Sequence, residues 1–506
     1  MADVVVIGSG PNGLTAACVL ARAGLDVVVV EAAPHAGGAV RTVESTLPGF
    51  RHDVGAAFFP FGTLSPAYKE LDLQGAGLKL AWAPIDSAHP ARDGSCAAIG
   101  RDLERCARAL GDDGPALQSW VRWWRGVEPK LLPALLAEPP AARAMAGVSP
   151  LSLARFASAA AMSGRGFAER VFASPAAQRI LPALALHTDV APSDPLGCPI
   201  GFMLGMTATT GGFAVPLGGA GEVTKALLAR LRELGGRLEL GARVERVVVE
   251  EARAVGVRTA RGSIDAKLAV VADTAAPTLY LELLSDRVVP ASVSDKMRSF
   301  KLGFGTFKLD WALDGPVPWA SELCGEAAVV HTGEDLDDLE RFAREVRAGE
   351  MPRDPYLVIG QQSLVDPSRA PRGAHTLWAY SRVPATLAGA PWTDEAKAAF
   401  AERVEARIEG LAPGFRRCIM KRFVQAPKDL ERMDENLLGG DLGGGTADIS
   451  NQLFLRPMFP YYRYRTPVRG VYLGSSYAHP GAGAHGMCGY NAAGAVLADA
   501  GMTQGS

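Results

Sequence analysis

The sequence lacks every cysteine spacing that would define a disulfide framework, a dithiol redox centre or a zinc site. Its seven cysteines are scattered and odd in number, and no two of them form a Cys-x-x-Cys pair: Cys18, Cys96, Cys106, Cys198, Cys324, Cys418 and Cys488. Such usage is typical of free thiols in a reducing compartment. No cluster of Cys and His has metal-ligand spacing. The sequence therefore predicts no metal site and no dithiol chemistry.

Charge excess and long apolar runs are also missing. The formal net charge is −2, and no basic stripe with interleaved aromatics occurs, so we expect no nucleic-acid partner. No uninterrupted apolar run reaches about 18 residues, so we expect no transmembrane helix. The chain enters an apolar strand at Val4 without a preceding basic region, which argues against a cleaved signal peptide. These absences predict a cytoplasmic protein, with peripheral membrane contact and homo-oligomerisation left open.

One tryptophan-rich segment is relevant to whether the protein contacts a membrane. SWVRWWRGVEPKLLPALLAE places Trp120, Trp123 and Trp124 beside basic residues, within a predicted helix over 116–138. The pattern fits a membrane-interface or substrate-channel helix, and it also fits a helix that is packed by its tryptophans. We favour the packed helix, because tryptophans next to basic residues are not diagnostic of an interface.

The chain does have a glycine fingerprint at its N-terminus. DVVVIG predicts a buried strand, GSGPNG follows it, and TAACVLARAG predicts a helix. Gly8 allows the tight turn, Gly10 lets a pyrophosphate approach the backbone, and Gly13 lets helix and strand pack closely. The next strand, LDVVVVE, ends on Glu31, which would accept hydrogen bonds from ribose hydroxyls and repel a 2′-phosphate. The unit predicts dinucleotide binding, with NADP disfavoured.

The stretch AAPHAGGAVRT follows directly and places Gly37, Gly38 and Arg41 after the acidic residue. Glycines permit close backbone approach, and an arginine can bind the pyrophosphate. This arrangement resembles the FAD-binding signature of the flavin amine oxidase and phytoene desaturase superfamily. No second GxGxxG lies within residues 276–435, so that segment does not indicate an NAD(P)H site beside the flavin.

A second glycine-rich loop, AHPGAGAHGMCGYNAAG, lies at 478–494. It follows a predicted strand, VRGVYLGSS, and runs into a predicted helix. Amides at a helix N-terminus stabilise negative charge, such as that on the pyrimidine edge of a reduced flavin. We therefore expect this loop to form the other half of the cofactor site.

Three blocks, roughly 1–65, 205–275 and 430–500, resemble the phytoene dehydrogenase-like FAD oxidoreductases. The most specific stretch is DLERMDENLLGGDLGGGTADISNQLFLRP with the C-terminal loop. Within these enzymes the chain is most similar to the branch with the human-type pyridine nucleotide-disulfide oxidoreductase domain protein. The resemblance implies non-covalent FAD, with the backbone of Val244 at the adenine. Ser475 stands where many relatives have Asp.

The predicted cofactor-binding set combines the two glycine-rich regions with the segments that the resemblance implies. It comprises Gly8, Gly10, Pro11, Asn12, Gly13, Glu31, Ala32, Gly37, Gly38, Arg41, Val244, Gly474, Ser475, Pro480, Gly481, Gly486, Met487 and Asn491.

The expected fold class is α/β, a Rossmann-type FAD-binding domain interleaved with an α+β substrate domain of mixed sheet and helices. The FAD-binding domain is expected to be discontinuous, over 1–85, 205–275 and 436–506. The substrate domain, with a helical subdomain, is expected over 86–204 and 276–435.

Two residues are candidates for chemistry. Lys308 in KLGFGTFKLDWAL matches the strand lysine that flavin amine oxidases hold near N5 through a water, although a strand lysine can also simply face solvent. His485 is a candidate base or substrate-orienting residue. Cys488, close to it in the chain, can pack in the loop or attach the flavin covalently, and we favour packing.

The leading hypothesis is an FAD-dependent oxidoreductase that desaturates, saturates or isomerises a small apolar, isoprenoid-like substrate. Hydride would pass to flavin N5, and oxygen or a quinone would reoxidise the flavin. An amine or amino-acid oxidase that uses Lys308 is the second hypothesis. A flavin-binding scaffold without turnover is the third.

Overall fold

The computed structural model describes residues 2–502. Its strands are β1 (Ala2–Ile7), β2 (Val27–Val30), β3 (Thr42–Val43), β4 (His52–Asp53), β5 (Leu80–Ala81), β6 (Ile85–Pro90), β7 (Cys96–Ile99), β8 (Val215–Pro216), β9 (Arg237–Glu239), β10 (Val244–Glu250), β11 (Arg253–Thr259), β12 (Gly262–Ala272), β13 (Gly305–Leu313), β14 (Ala327–His331), β15 (Val358–Gly360), β16 (His375–Val383), β17 (Ile419–Gln425) and β18 (Val471–Leu473).

The α-helices are α1 (Pro11–Arg22), α2 (Pro66–Glu70), α3 (Leu103–Ala109), α4 (Gly114–Leu136), α5 (Ala142–Met145), α6 (Pro150–Ala160), α7 (Gly164–Val171), α8 (Pro175–Gln178), α9 (Ile180–Ala185), α10 (Cys198–Ala208), α11 (Gly221–Glu233), α12 (Ala276–Thr278), α13 (Ala291–Arg298), α14 (Glu322–Gly325), α15 (Leu336–Arg347), α16 (Asp394–Leu411), α17 (Phe415–Cys418), α18 (Pro427–Met433) and α19 (Met487–Asp499). The expected α/β fold class is confirmed.

The first sheet is built around β1. Its order is β10-β11-β12-β1-β2-β9, and β18 pairs with the end of β12. Strands β18, β12, β1, β2 and β9 run parallel. Apolar runs such as VVVV in β2 are buried throughout, as expected for parallel strands covered on both faces. The carboxyl ends of these strands therefore meet at one edge, where ligands bind in doubly wound folds.

The second sheet has the order β17-β13-β16-β15-β14-β6-β7 and is mostly antiparallel. Strand β13 is buried along its whole length between β16 and β17. The helices from α3 to α10 lie between β7 and β8 in the chain and form a block beside this sheet. Helix α16 begins after Thr393, whose hydroxyl accepts a hydrogen bond from the Ala396 amide at 3.2 Å and so caps the helix.

The tryptophan helix is α4, and its tryptophans pack inside the helical block. Trp124 is fully buried, and Trp120 contacts Phe167 and Phe202 edge-on at 5.1 and 5.6 Å. The Arg155 guanidinium lies 4.3 Å from the Trp120 ring centre. The packed-helix interpretation is therefore correct. Among the helices of residues 2–502, none combines the length and apolarity needed to cross a bilayer.

Candidate functional site

A large cavity of about 1420 Å³ lies between the two sheets and the helical block. Its walls come from the glycine-rich loop after β1, the C-terminal loop before α19, the segment 431–456, and the faces of β14, β15 and β16. Typical small-molecule sites occupy roughly 300–1,000 Å³. The cavity therefore has room for a dinucleotide and a further ligand.

The predicted glycine-rich loop turns sharply between β1 and α1. Gly8 has a φ of +93°, and a Cβ there would lie 2.8 Å from the Asp273 carbonyl oxygen. Glu31 follows β2 and faces the cavity, where its carboxylate accepts hydrogen bonds from the Ser9 amide at 2.8 Å and the Ser9 hydroxyl at 2.7 Å. Two hydrogen bonds thus join the glycine-rich loop to Glu31, whose predicted contact with the ribose stays a prediction.

Asp273 is a site residue that the sequence analysis did not identify. It follows β12, lines the cavity beside Gly10, and accepts a hydrogen bond from the Gly13 amide at 2.8 Å. Burial raises the pKa of Asp273 to about 7, and the nearby Asp434 and Glu31 carboxylates add to the increase. The signal was available in the sequence, because an acidic residue at the end of a predicted parallel strand lies at the ligand edge of the sheet.

Arg41 reaches the cavity from the segment after β2. Its Nε donates to the Gly38 carbonyl at 2.7 Å, and its Nη1 lies 3.0 Å from His35 Nε2. Burial lowers the pKa of Arg41, while Asp434 and Glu31 oppose that effect. The guanidinium stays charged, so it can bind a phosphate.

Arg456 is a second residue that the sequence analysis did not identify. Its guanidinium is fully buried and donates to the carbonyl oxygens of Gly443, Gly444 and Ser476 at 2.6–3.0 Å. It also lies 3.1–3.2 Å from where a Cβ on Gly481 would stand. Arg456 therefore ties the segment 431–456 to the C-terminal glycine loop across the cavity.

The C-terminal loop places His485 on the cavity wall. The ring packs edge-on against Phe61 at 5.5 Å, and Nδ1 accepts a hydrogen bond from the Met487 amide at 3.1 Å. Burial lowers the pKa of His485 to about 3, so the ring is neutral and its proton is on Nε2. With its free lone pair already engaged, His485 is poorly placed to act as a base.

Cys488 lies behind that wall at the start of α19. Its thiol is fully buried and donates to the Gly481 carbonyl oxygen, with an Sγ–O distance of 3.4 Å. Burial raises the pKa of Cys488 to about 12, which keeps the thiol neutral. This environment favours packing over reaction.

Lys308 is buried in β13, which excludes the solvent-facing alternative. Its Nζ donates to both carboxylate oxygens of Asp310 at 2.6 and 2.7 Å, and Asp310 also accepts from Ser45. Lys308 pairs with Tyr380 and Asp310 with Trp378 across the sheet, so the ion pair shares the cavity-facing side of β13 and β16. The ammonium group is committed to Asp310 and lies outside the cavity lining, so its predicted catalytic role stays a prediction.

The predicted site residues fall into two groups, those that line the cavity and those in the layer behind its wall. Those that line the cavity are Gly8, Gly10, Pro11, Asn12, Glu31, Ala32, Gly38, Arg41, Val244, Ser475, Pro480, Gly481 and His485. Those behind it are Gly13, Gly37, Gly474, Gly486, Met487 and Asn491. Asn491, for example, donates to the Leu136 carbonyl and to the Tyr464 hydroxyl, which anchors α19 to α4.

Three residues of the lining carry buried polar atoms that have no hydrogen-bond partner in residues 2–502. These atoms are Asn12 Oδ1, Trp378 Nε1 and His479 Nδ1. Buried polar groups in proteins are normally satisfied. All three residues line the cavity, and these particular atoms are covered by the protein around them.

A strand–glycine loop–helix unit, an acidic residue after β2 and a cavity at the carboxyl edge of a parallel sheet define a dinucleotide-binding α/β protein. The model of the NAD(P)-binding Rossmann-like domain matches residues 6–71. The chain is 28% identical over 558 residues to "Pyridine nucleotide-disulfide oxidoreductase domain-containing protein 2" of Rattus norvegicus, covering 98% of this chain and 93% of the relative.

Two bacterial relatives also match over nearly the whole chain. A limonene dehydrogenase component of Castellaniella defragrans is 24% identical, covering 99% of this chain and 95% of the relative. All-trans-zeta-carotene desaturase of Myxococcus xanthus is 26% identical, covering 95% and 90%. Cyclohexylamine oxidase of Brevibacterium oxydans has the same fold, with a TM-score of 0.61, 16% identity and 99% of each chain covered.

The chain is therefore similar along nearly its whole length to the rat protein and to oxidoreductases that include a carotene desaturase, and it shares its fold with an amine oxidase.

Proposed function

We propose that the protein binds FAD non-covalently and oxidises a small apolar, isoprenoid-like substrate by hydride transfer, forming a carbon–carbon double bond, or runs the reverse saturation. Oxygen or a quinone serves as the electron acceptor in this proposal. When bound, FAD supplies a ring that accepts or donates hydride. The protein's own residues bind and orient both molecules.

The residues at one end of the cavity fit the dinucleotide. Glu31 faces the position of the ribose hydroxyls, Arg41 and the amides of the glycine loop suit the pyrophosphate, and Val244 begins β10 beside them.

The residues at the other end of the cavity support the proposed class of substrate. The lining that comes from described residues 135–213 contains no charged side chain; it consists of Leu135, Leu136, Phe156, Ala160, His187, Thr188, Leu196, Pro199, Ile200, Met203, Leu204 and Phe213. Val329, Val358 and Trp378 continue this surface on the second sheet. An apolar molecule gains from burial against such a wall, at roughly 25 cal/mol per Å².

The same observation disfavours the amine oxidase hypothesis. A cationic amine would find no carboxylate on the wall formed by residues 135–213, and burying an unpaired charge is costly. Lys308, the residue on which that hypothesis rests, is already bound to Asp310.

The test is anaerobic reduction of the purified, FAD-loaded protein. We expect limonene or phytoene to bleach the flavin absorbance, and cyclohexylamine to leave it unchanged. Bleaching by cyclohexylamine alone would favour the amine oxidase. A protein that binds FAD but is bleached by none of these compounds would favour the scaffold, and one that cannot be loaded with FAD would contradict the proposal.

We further propose that the protein takes up its substrate from a membrane surface, to which it binds peripherally. Exposed apolar residues surround one side of the cavity: Leu196, Ile449 and Leu453 both line it and face solvent, and Phe454, Leu455 and Phe459 extend the exposed surface. An exposed apolar patch of this kind marks an interaction site.

Co-sedimentation with phosphatidylcholine vesicles tests this binding. We expect the Phe454→Ser/Phe459→Ser variant to lose binding, and Met420→Ser, an exposed apolar position on β17, to retain it. Equal binding by both variants, or no binding by the unaltered protein, would contradict the proposal.

A further inference from the structure

A continuous line of hydrogen bonds leads from the apolar end of the cavity into the second sheet. The Tyr380 hydroxyl lies 2.9 Å from His187 Nδ1, and His187 Nε2 lies 2.5 Å from His331 Nε2. His331 Nδ1 lies 2.8 Å from the Ser87 hydroxyl, which lies 3.0 Å from His89 Nε2. We call these five residues the histidine line.

The sheet register brings these residues together. Tyr380 on β16 and His331 on β14 both pair with Val358 of β15, so their side chains share one face. Ser87 and His89 follow on β6, next to β14. His187 comes from the turn after α9, and its ring bonds to Tyr380 on one side and to His331 on the other. Residues from four distant parts of the chain thus form one line.

The two ends of the histidine line differ in their surroundings. Tyr380 and His187 line the cavity, whereas His331, Ser87 and His89 are at most 1% exposed. His89 Nδ1, at the far end, is buried with no hydrogen-bond partner in the described part of the chain. The line therefore starts at the substrate and ends at a free ring nitrogen.

Every member of the line can both donate and accept a hydrogen bond. A neutral imidazole donates through one nitrogen and accepts through the other, and hydroxyl groups do both. All four bonds are satisfied with neutral rings if the protons point towards His89, and equally if they point towards Tyr380. A shift of each proton by one bond converts one order into the other when one proton enters at Tyr380 and another leaves at His89, which is the property a proton relay needs.

The surroundings of the rings favour passing a proton along the histidine line over holding it on one ring. Burial lowers the pKa of His187 and His89 to about 3, and that of His331 well below its ordinary value. Arg179, which donates to the His89 carbonyl at 2.9 Å, also opposes a positive charge on that ring. Arg382, near His187, is paired with Asp189 at 2.5 Å. The rings are neutral at rest, so an added proton is passed on.

We propose that the histidine line is a proton relay for the reaction in the cavity. The inference rests on the proposed function, in which the substrate loses a hydride with two electrons to the flavin. As the double bond forms, the adjacent C–H bond breaks and its proton passes to the Tyr380 oxygen. Tyr380 acts directly on the substrate, and the other four residues act through it.

Each proton then moves by one bond. The Tyr380 proton passes to His187 Nδ1, and the proton on His187 Nε2 passes to His331 Nε2. The proton on His331 Nδ1 passes to Ser87, whose own proton passes to His89 Nε2. His89 now holds two ring protons and releases the one on Nδ1. Charge and atoms balance, and the reverse saturation reaction runs the same steps backwards.

The far end of the line lies near the surface. His89 is one residue from the end of β6, and the turn that joins β6 to β7 is exposed at residues 92–94. Arg179 links the His89 carbonyl to the hydroxyl of Ser95, which is partly exposed. In this proposal a solvent water that enters beside the β6–β7 turn accepts the proton from His89 Nδ1.

The test uses the FAD-loaded protein with Ser87→Ala, which breaks the line without altering a cavity residue or a histidine. Ser381→Ala is the matched control, because Ser381 is a fully buried serine of the same sheet whose hydroxyl donates to the Tyr356 carbonyl at 2.8 Å. Tyr380→Phe removes the hydroxyl at the cavity and keeps the ring.

The first measurement is NMR of the resting protein labelled with ¹⁵N-histidine, which needs no substrate. We expect a strongly deshielded N–H proton from the His187–His331 bond. Ser87→Ala should shift the ring nitrogens of both His331 and His89, and Ser381→Ala should leave them unchanged. Ring nitrogens that do not respond to Ser87→Ala would overturn the relay.

The second measurement is anaerobic stopped-flow reduction with a substrate that bleaches the flavin, in H₂O and D₂O. We expect Ser87→Ala and Tyr380→Phe to slow reduction at least about tenfold with an altered solvent isotope effect, and Ser381→Ala to stay within about twofold. Unchanged rates and isotope effects in Ser87→Ala would overturn the relay. If no substrate bleaches the flavin of the unaltered protein, the proposed function is contradicted and the relay is not tested by this measurement. The NMR measurement then still decides whether the residues of the histidine line are coupled to each other.

Discussion

Replacing Asp273 by Asn should change how the stability of the cofactor-free protein depends on pH. Burial raises the pKa of Asp273 from 3.8 to about 7, so between these values the folded state binds a proton that the unfolded state has lost. Stability therefore falls as pH rises through this window. Between pH 5 and pH 8 the loss from this one carboxyl amounts to about 2.5 kcal/mol.

The Asp273→Asn variant keeps a side-chain oxygen for the Gly13 amide and has nothing to ionise. Its stability relative to the unaltered protein should therefore increase by about 2.5 kcal/mol from pH 5 to pH 8. Chemical unfolding of both proteins across this range measures the difference, in which the other titrating groups cancel. Asp265→Asn, an exposed position on the same strand, is the control for loss of one carboxylate. A difference that stays flat across this range would refute the reasoning.

The same substitution should alter cofactor binding. An ionised Asp273 beside Gly10 would repel the pyrophosphate, so the FAD affinity of the unaltered protein should fall as pH rises through about 7. Asp273→Asn should bind FAD with little pH dependence across that window. Fluorescence titration with FAD at several pH values checks this, and equal pH dependence in both proteins would contradict it.

Three further outcomes follow from the site. Glu31→Ala should weaken FAD binding at least about tenfold, because the ribose hydroxyls and Ser9 lose their acceptor, and FAD titration measures it. Lys308→Met should destabilise the protein by about 3–5 kcal/mol, because Asp310 is left buried and unpaired. Lys308→Met/Asp310→Asn should restore stability, and flavin reduction that stays slow in this double variant would show that Lys308 also takes part in chemistry. Denatured Cys488→Ser should release its FAD, and the denatured unaltered protein should do the same, because the thiol lies behind the cavity wall. If only the unaltered protein retained FAD after denaturation, Cys488 would be shown to attach the flavin covalently.

Local chemistry explains why much of the first sheet was predictable. A strand, a glycine turn and a helix within residues 2–22 carry their own signals, since apolar runs and glycines act on their immediate neighbours. The Lys308–Asp310 pair could also be predicted from the sequence, because residues two apart on a strand share a face. Only the burial of that strand on both sides, which removes solvent as a partner, came from the tertiary structure.

Contacts between distant segments could not be predicted in the same way. Arg456 donates to carbonyl groups of loops on both sides of it, and nothing in its own neighbourhood indicates that they converge. His485 looked like a base in the sequence, but folding engages its Nδ1 with the Met487 amide and removes it from water.

The sequence by itself determined the α/β class, the dinucleotide fingerprint and the loop that closes the site, because these depend on residue type and spacing over short distances. The tertiary structure alone decided which ionisable groups face the cavity and which partners they find there. His89, His187 and His331 are isolated histidines along the chain. They become a line of hydrogen bonds only because strand register and one helical turn place them within bonding distance.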